Sequence, residues 1–517
     1  MRTVLSVLVV GLVAVAASGI PRAVVVAQEQ HVRDSITAPL DRSLGTVSIE
    51  ISCGAPAKAP FLRGLALLHS FEWRDARSEF QAAATADPAC AMAYWGEAMS
   101  YYDGIHNPPS DAEVTAAKQA LAKAEQAASK TDHERAYISA AKALFERYAA
   151  ATRQEHDAAY SQALKSITDR YPEDSEANAF YALSLLTLAR RGAANGYELQ
   201  MQAARILEPI FRTHPDHPGA AHYLIHAYDD SGERARGIAA ARVYAEIAPG
   251  ATHALHMPSH IFAGLGMWDD TIASNKDSFD ASDRAVRKLG QPPYRRSYHA
   301  VLYWLYALLQ QGKEAEARAL LAEHRPVLEG GDGAAKRNLH DLLVRYYVDT
   351  DRPAEAAEMP ILSEEPLRKA EALFVRGLGQ ARTGKLDAAG TSLRDMRAIL
   401  AQIALAKDLD VEVRARILDV QAKQLNATLL LARKQNDAAL KILAETVRIE
   451  DAPGVSWAPP DAGTGIPAHE FLGDVLLQLG HRANAAREFE AALKKTPGRR
   501  RSVEGLARAK AESSASR

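Results

Sequence analysis

The sequence predicts an all-α fold, a solenoid of stacked helical hairpins, and three observations lead there. Hydrophobic residues fill 47% of 517 positions, which excludes a disordered chain, and Ala and Leu abound against only 24 Pro and 31 Gly. A spaced set of small and aromatic residues, Gly64, Ala76, Phe80, Ala83 and Pro88, returns near the end as Gly473, Ala485, Phe489, Ala492 and Pro497. Between the two copies, helix-period stretches of hairpin length follow one another, several of them ended by a proline.

Each residue of the repeated set has a physical task. The small residues let two helices approach, Phe80 fills their seam, and Pro88 ends the second helix. This spacing resembles the tetratricopeptide repeat, and the resemblance extends over most of the chain after its first segment. It implies a right-handed superhelix of about ten helix pairs around one continuous concave channel.

Taken in order, Met1–Ala27 reads as an export signal: Arg2, an apolar run Val4–Ala17, then Val25, Val26 and Ala27 as a small-residue cleavage site. The alternative is an uncleaved anchor, but the run is short for a membrane span. Residues 28–60 form an N-terminal extended segment, and residues 61–511 the solenoid. After the first hairpin, Tyr94–Met99 opens a second, interrupted by the loop Asp103–Ser110. His133–Ala150 with His156–Tyr171 makes a third, Ser175–Leu188 with Tyr197–Phe211 a fourth, and Pro218–Asp229 with Ala235–Ile247 a fifth. Thr252–Leu265 with Trp268–Phe279 makes a sixth, followed by Tyr298–Gln311 with Glu314–Glu323, then Asn338–Val348, Leu367–Leu400 and Val411–Ile449. The irregular loop 451–467, DAPGVSWAPPDAGTGIP when complete, is either functional or a tolerated surface insertion. Ser502–Ala511 reads as a capping helix and 512–517 as a frayed tail.

Three stretches carry a closer resemblance: SCGAPAKAPFLRGLALLHSFEWRDARSEFQAAATADPACAMAYWGEAMS, HALHMPSHIF and PAHEFLGDVLLQLG. They resemble a group of exported bacterial tetratricopeptide-repeat proteins. That resemblance implies fold and a periplasmic or secreted location, and supplies no activity. Cys53 and Cys90, the only cysteines, flank the first hairpin. The start of a hairpin's first helix and the end of its second share an edge, so an oxidising compartment favours a disulfide there. Two buried thiols are the alternative; a cysteine metal site is disfavoured because no CxxC spacing occurs.

The stretch Gly219–Gly266 holds five of the 17 histidines: His222, His226, His253, His256 and His260. His222/His226 and His256/His260 are i,i+4 pairs, so each pair shares a helix face. Counted from Pro215 and Pro249, both pairs occupy the fifth and ninth places of successive repeats, with His253 second; a like count puts His299 second and Tyr306 ninth in the next. In the family that the repeat resembles, the second, fifth, ninth, twelfth and thirteenth places line the concave groove. Carried over, this sets six histidines on one inner wall, with Asp229 and Asp230 at its edge and Glu470 facing the groove further on. Neighbouring helices about 8–10 Å apart allow side chains from two of them to share an ion. Imidazole suits zinc, copper and iron, and the grouping expected is His222 and His226 with His256 and His260, while His253 and His299 serve as further ligands or support. The alternatives are polar groove lining and plain packing, and Pro258 distorts the helix that carries the second pair. Trp95, Met99 and Tyr102 share a face and read as core or groove lining; His106 reads as a loop residue and His469 as packing at a helix start.

Charge narrows the function. With 62 basic and 64 acidic residues, mixed along the length, the formal net charge is −2, which argues against nucleic acid as a main partner. No GxGxxG, Walker loop, HExxH or GxSxG occurs. Two classes remain: an exported solenoid that binds a protein, peptide or small molecule in its channel, or a metal-dependent enzyme centred on the histidines.

Overall fold

A computed structural model describes residues 44–511, apart from 106–107, 129, 147, 149–150, 191–195, 230–231, 404–408 and 453–464. The expected export signal, Asp230, His106, most of the irregular loop and the tail 512–517 lie outside the described residues. Among those described there is no strand, and no helix is long and apolar enough to cross a membrane.

The helices run in antiparallel pairs. In chain order they are α1 (Ala55–His69), α2 (Trp73–Ala86), α3 (Ala91–Met99), α4 (Asp111–Gln126), α5 (Asp132–Phe145), α6 (Arg153–Arg170), α7 (Ser175–Arg190) and α8 (Gly196–Thr213). Then come α9 (Pro218–Asp229), α10 (Ile238–Ile247), α11 (Thr252–His256), α12 (Pro258–Gly264), α13 (Trp268–Lys288), α14 (Tyr298–Gln310), α15 (Glu314–Glu329) and α16 (Gly333–Asp349). The rest are α17 (Pro353–Ala356), α18 (Pro366–Arg382), α19 (Leu386–Ile403), α20 (Leu409–Ala432), α21 (Asn436–Glu450), α22 (Ala468–Gln478), α23 (Arg482–Lys495) and α24 (Arg500–Ala511). The continuous patterns over Leu367–Leu400 and Val411–Ile449 are thus two hairpins, each turned at a short polar break.

The repeat is legible in its packing and makes the fold a tetratricopeptide-type solenoid. Phe80 and Phe489 are fully buried. A Cβ on Gly96 would fall 2.3 Å from the Phe80 ring and one on Gly505 2.4 Å from Phe489, so a glycine at each place is what lets the next repeat close on the ring. The turns inside six hairpins share one form: the first helix ends in a left-handed residue, and the amide after it donates back five residues, as Met267 N does to Phe262 O at 2.8 Å and His481 N to Leu476 O at 2.8 Å. Gly266, Gly312, Gly384 and Gly480 hold that left-handed place, but Phe71 and Lys434 hold it in their repeats, at φ 58° and 60°.

Two features depart from an open solenoid. Residues 44–52 run extended across three later repeats: Thr46 N donates to Asp216 O at 3.0 Å, Ser48 N to Glu176 at 2.8 Å, and Ser52 N to Glu134 at 2.7 Å. The turn between α1 and α2 reaches α9 and α11 in the same way. The first repeat therefore packs directly on repeats five and six. At the other end, Arg500 N donates to Gln310 at 3.0 Å, so the last turn packs back on α14. Buried apolar residues form two main cores, one spanning Leu44–Phe262 and one spanning Phe279–Ala509.

Candidate metal centre

The histidine wall lies where these cores meet. α9 has no polar face to turn to solvent: Pro218 through Tyr228 are all buried, so His222 and His226, one turn apart, are held inside. Pro258 removes a backbone donor and splits the next helix into α11 and α12 at Met257, whose own backbone stays helical (φ −54°, ψ −35°). The break leaves His253 and His256 on α11 and His260 on α12. His299 enters on the first turn of α14.

These six histidines gather as two triads, where one group of four was expected. His222, His226 and His253 offer nitrogens all within 4.8 Å of one another, and so do His256, His260 and His299. Each i,i+4 pair takes its third member from the first helix of the following repeat, because the stacking brings the second place of one repeat against the fifth and ninth of the repeat before. Thus His253 and His299 rank with the pairs as equal members. His222, His226, His253 and His256 are buried, and His260 and His299 half-buried.

The hydrogen bonds orient the rings. Nδ1 of His222 donates to the carbonyl of His69 at 2.7 Å, and its Nε2 lies 3.1 Å from Nε2 of His253. Nδ1 of His256 donates to Oδ1 of Asn275 at 2.6 Å, and the Asn275 amide nitrogen donates to Thr271 O at 2.7 Å, which settles which way that amide faces. Nδ1 of His260 donates to Asp229 Oδ2 at 3.1 Å, and Nε2 of His256 and His260 face each other at 3.1 Å. Burial works against the Asp229 charge, but the hydrogen bond from His260, with Arg190 and Arg234 nearby, holds the carboxyl below the usual carboxylate range. Asp229 therefore sits at the edge of the wall, as its place in the repeat implied, and its partner there is a histidine.

Several residues of the site went unread in the sequence. The Phe71 ring lies against the first triad, with its centre 4.3 Å from that of His222, 5.7 Å from His226 and 5.5 Å from His253. Glu72 accepts from Thr252 Oγ1 at 2.9 Å and from His253 N at 3.1 Å, which caps the short helix that carries His253. Tyr303 lies 4.9 Å from His256 and 5.0 Å from His260, ring to ring. Tyr303 follows His299 at i+4 and was within reach of the same spacing argument. Phe71 and Glu72 were not, since only the folded chain brings repeat one against repeats five and six.

A third buried group, His69, Glu176 and His217, also gathers. Nε2 of His69 donates to Glu176 at 2.6 Å, His217 Nε2 stands 3.5 Å from the other carboxylate oxygen, and Tyr223 hydroxyl donates to Nδ1 of His69 at 3.0 Å. Burial lowers the His69 pKa, against the pull of Glu176; burial also opposes the Glu176 charge, but His69 and His217 overcome it and hold that carboxyl far below its usual range. Here the carboxylate lies between the rings and closes the network.

The remaining candidates lie elsewhere. Tyr306 and Glu470 are buried, and the groove places expected of them are filled by Arg499, which binds both Glu470 oxygens at 2.8 Å, Asp349 at 2.6 Å and the Tyr306 hydroxyl at 3.4 Å. His469 bridges Glu488 at 2.7 Å and Asp451 at 3.2 Å. Met99 and Tyr102 line a small cavity with Trp73, Phe180 and Tyr223, whereas Trp95 is core. Cys53 and Cys90 form the expected disulfide, their Cα atoms 4.6 Å apart.

Fold and site together define a tetratricopeptide-type solenoid bearing paired histidine triads. No protein-family model matches the chain, and no curated protein matches it. Among solved structures it is similar to the APC/C hetero-tetramer Cut9–Hcn1, at 12% identity over 88% of this chain and 76% of that one, with a TM-score of 0.33. It is similar also to the P58(IPK) TPR domain (14% identity, 90% and 99% covered, TM-score 0.21) and to the human IFIT1 dimer with PPP-AAAA (14%, 89% and 95%, TM-score 0.38). At such identities and TM-scores no ligand or partner passes from them to this chain.

Proposed function

We propose that this is an exported solenoid whose work is done by transition-metal ions held on the histidine wall, with zinc, copper or iron as the fitting class. One observation carries the reading. His256 and His260 both donate through Nδ1, to Asn275 and Asp229, so a neutral ring of either kind presents a lone pair at Nε2. Those two nitrogens face each other at 3.1 Å. Two lone pairs at that distance repel unless a cation lies between them. With metal–nitrogen bonds of about 2.0–2.1 Å, tetrahedral ligands stand about 3.3 Å apart. Asn275, Asp229 and the His69 carbonyl are the outer partners that orient metal-bound imidazoles. Three imidazoles leave an ion an open position, the pattern of catalytic sites. The disulfide supports export, since such bonds persist in oxidising compartments.

The competing occupant is a proton, shared between His256 and His260 with Asp229 as counter-charge. The test is metal content: protein from the exported fraction, stripped with chelator and dialysed against zinc or copper, is expected to regain the ion. His256→Ala is expected to lose occupancy with helical content unchanged. A folded wild type that takes up no transition metal overturns the reading.

A further inference from the structure

We propose that the two triads form one paired centre, holding two transition-metal ions joined by a single bridging anion such as hydroxide. This rests on the metal reading above and states what that site holds. The spacing is the first support. Across the boundary between triads, the ring centres of His226 and His260 are 6.4 Å apart, and those of His253 and His256 6.3 Å. Within the second triad His260 and His299 are also 6.3 Å apart. The nearest rings across the boundary are thus about as far apart as the most widely spaced pair inside the second triad, and an ion in each triad would stand within reach of one shared oxygen, as in two-metal sites about 3.5–4 Å across.

Charge is the second support. Both triads consist of imidazoles alone, with no carboxylate or thiolate among the donors. Asp229, a carboxylate beside the second triad, is engaged with Nδ1 of His260, the nitrogen turned away from the His256 contact, and Glu72 is engaged with the His253 amide. Neutral donors leave most of the charge of two divalent ions uncompensated by their own ligands, on a wall where four of the six rings are buried. An uncompensated buried charge is strongly unfavourable, so the pair draws an anion from solvent. A water bound between two ions supplies it: its pKa falls towards about 7 and it releases a proton to solvent, leaving hydroxide shared by both metals. The open position that three imidazoles leave on each ion is the place this oxygen fills. Phe71 against the first triad and Tyr303 against the second put aromatic walls on both sides.

Copper(II) is the probe, because each ion carries one unpaired spin and a single-oxygen bridge pairs the two. Stripped full-length protein titrated with copper(II) is expected to bind two ions per chain, with an electron-paramagnetic-resonance signal far below two spins. His253→Ala and His299→Ala should each bind one ion and give the full signal of one spin. Two ions with two full spins, or saturation at one ion in the wild type, would overturn the pairing and leave the metal reading standing. No copper or zinc uptake at all overturns both. The wild-type stoichiometry and spin count decide the matter even if a variant does not fold.

Discussion

Phe80 and Phe71 are nine residues apart in the same hairpin, and they show how differently a single aromatic residue can announce itself. Phe80 was legible in sequence because its surroundings are local: Gly64 and Gly96 clear the space its ring fills. Replacing Phe80 with Ala is expected to cost about 3–5 kcal/mol, read as a shift in the urea midpoint of the first repeats; a cost under about 1 kcal/mol would contradict the seam. Phe71 was not legible. Its left-handed backbone (φ 58°) is one that glycine takes in four sister turns, and its ring is matched to histidines about 150 residues away. Strain of that kind persists only where surroundings over-determine it. The same holds of the histidines: their residue type and spacing were visible, but the choice of partners depended on how far each repeat advances on the last.

At the level of the element, helix pairs were readable from apolar period and their breaks from proline and glycine. Their far-side contacts were not. α22 is an example, since His469 at its start was expected merely to pack. It instead joins two carboxylates, one on the last turn of the preceding repeat and one on α23. Burial lowers its pKa, but hydrogen bonds to Glu488 and Asp451 outweigh this and raise it above the ordinary 6.5. A raised folded-state pKa stabilises below the unfolded value and loses that contribution as pH rises through the folded one. The melting temperature of the wild type should therefore fall from about pH 6 to about pH 8 by more than that of His469→Gln, which lacks the titrating ring. Parallel pH profiles for the two proteins would remove His469 from the account.

Over the whole molecule, the array is drawn shut at three places. The disulfide closes the first repeat over a separation of 37 residues, residues 44–52 lie across three later repeats, and the last turn packs on α14. The first was expected from two cysteines at one edge of a hairpin. The others involve contacts between distant repeats, and no periodicity records how tightly a superhelix winds. Serine in place of Cys53 and Cys90 is expected to cost about 3–4 kcal/mol on the loop-entropy account, seen as an earlier first transition in urea. A coincident transition for both proteins would show that the staple adds nothing to the folded repeat. A buried Arg499 held by Glu470 and Asp349 makes a matching test at the other end: Arg499→Ala leaves Glu470 without its paired cation and Asp349 with Arg345 alone, and should cost about 3–5 kcal/mol.

The reach of the first repeat onto α9 and α11 also sets an order in time. The cysteine staple needs only the first ninety or so residues of the chain, but the His69 carbonyl meets His222 across 153 residues and Glu72 meets the His253 amide across 181. Contacts of such separation form late, after the intervening chain is built and folded. The second triad waits longer still, for His299. A chain whose later repeats have not yet folded can therefore be stapled and largely helical without the wall being finished. Metal loading would then mark the last step of maturation, and a fully loaded protein would be one whose first repeat had already come home.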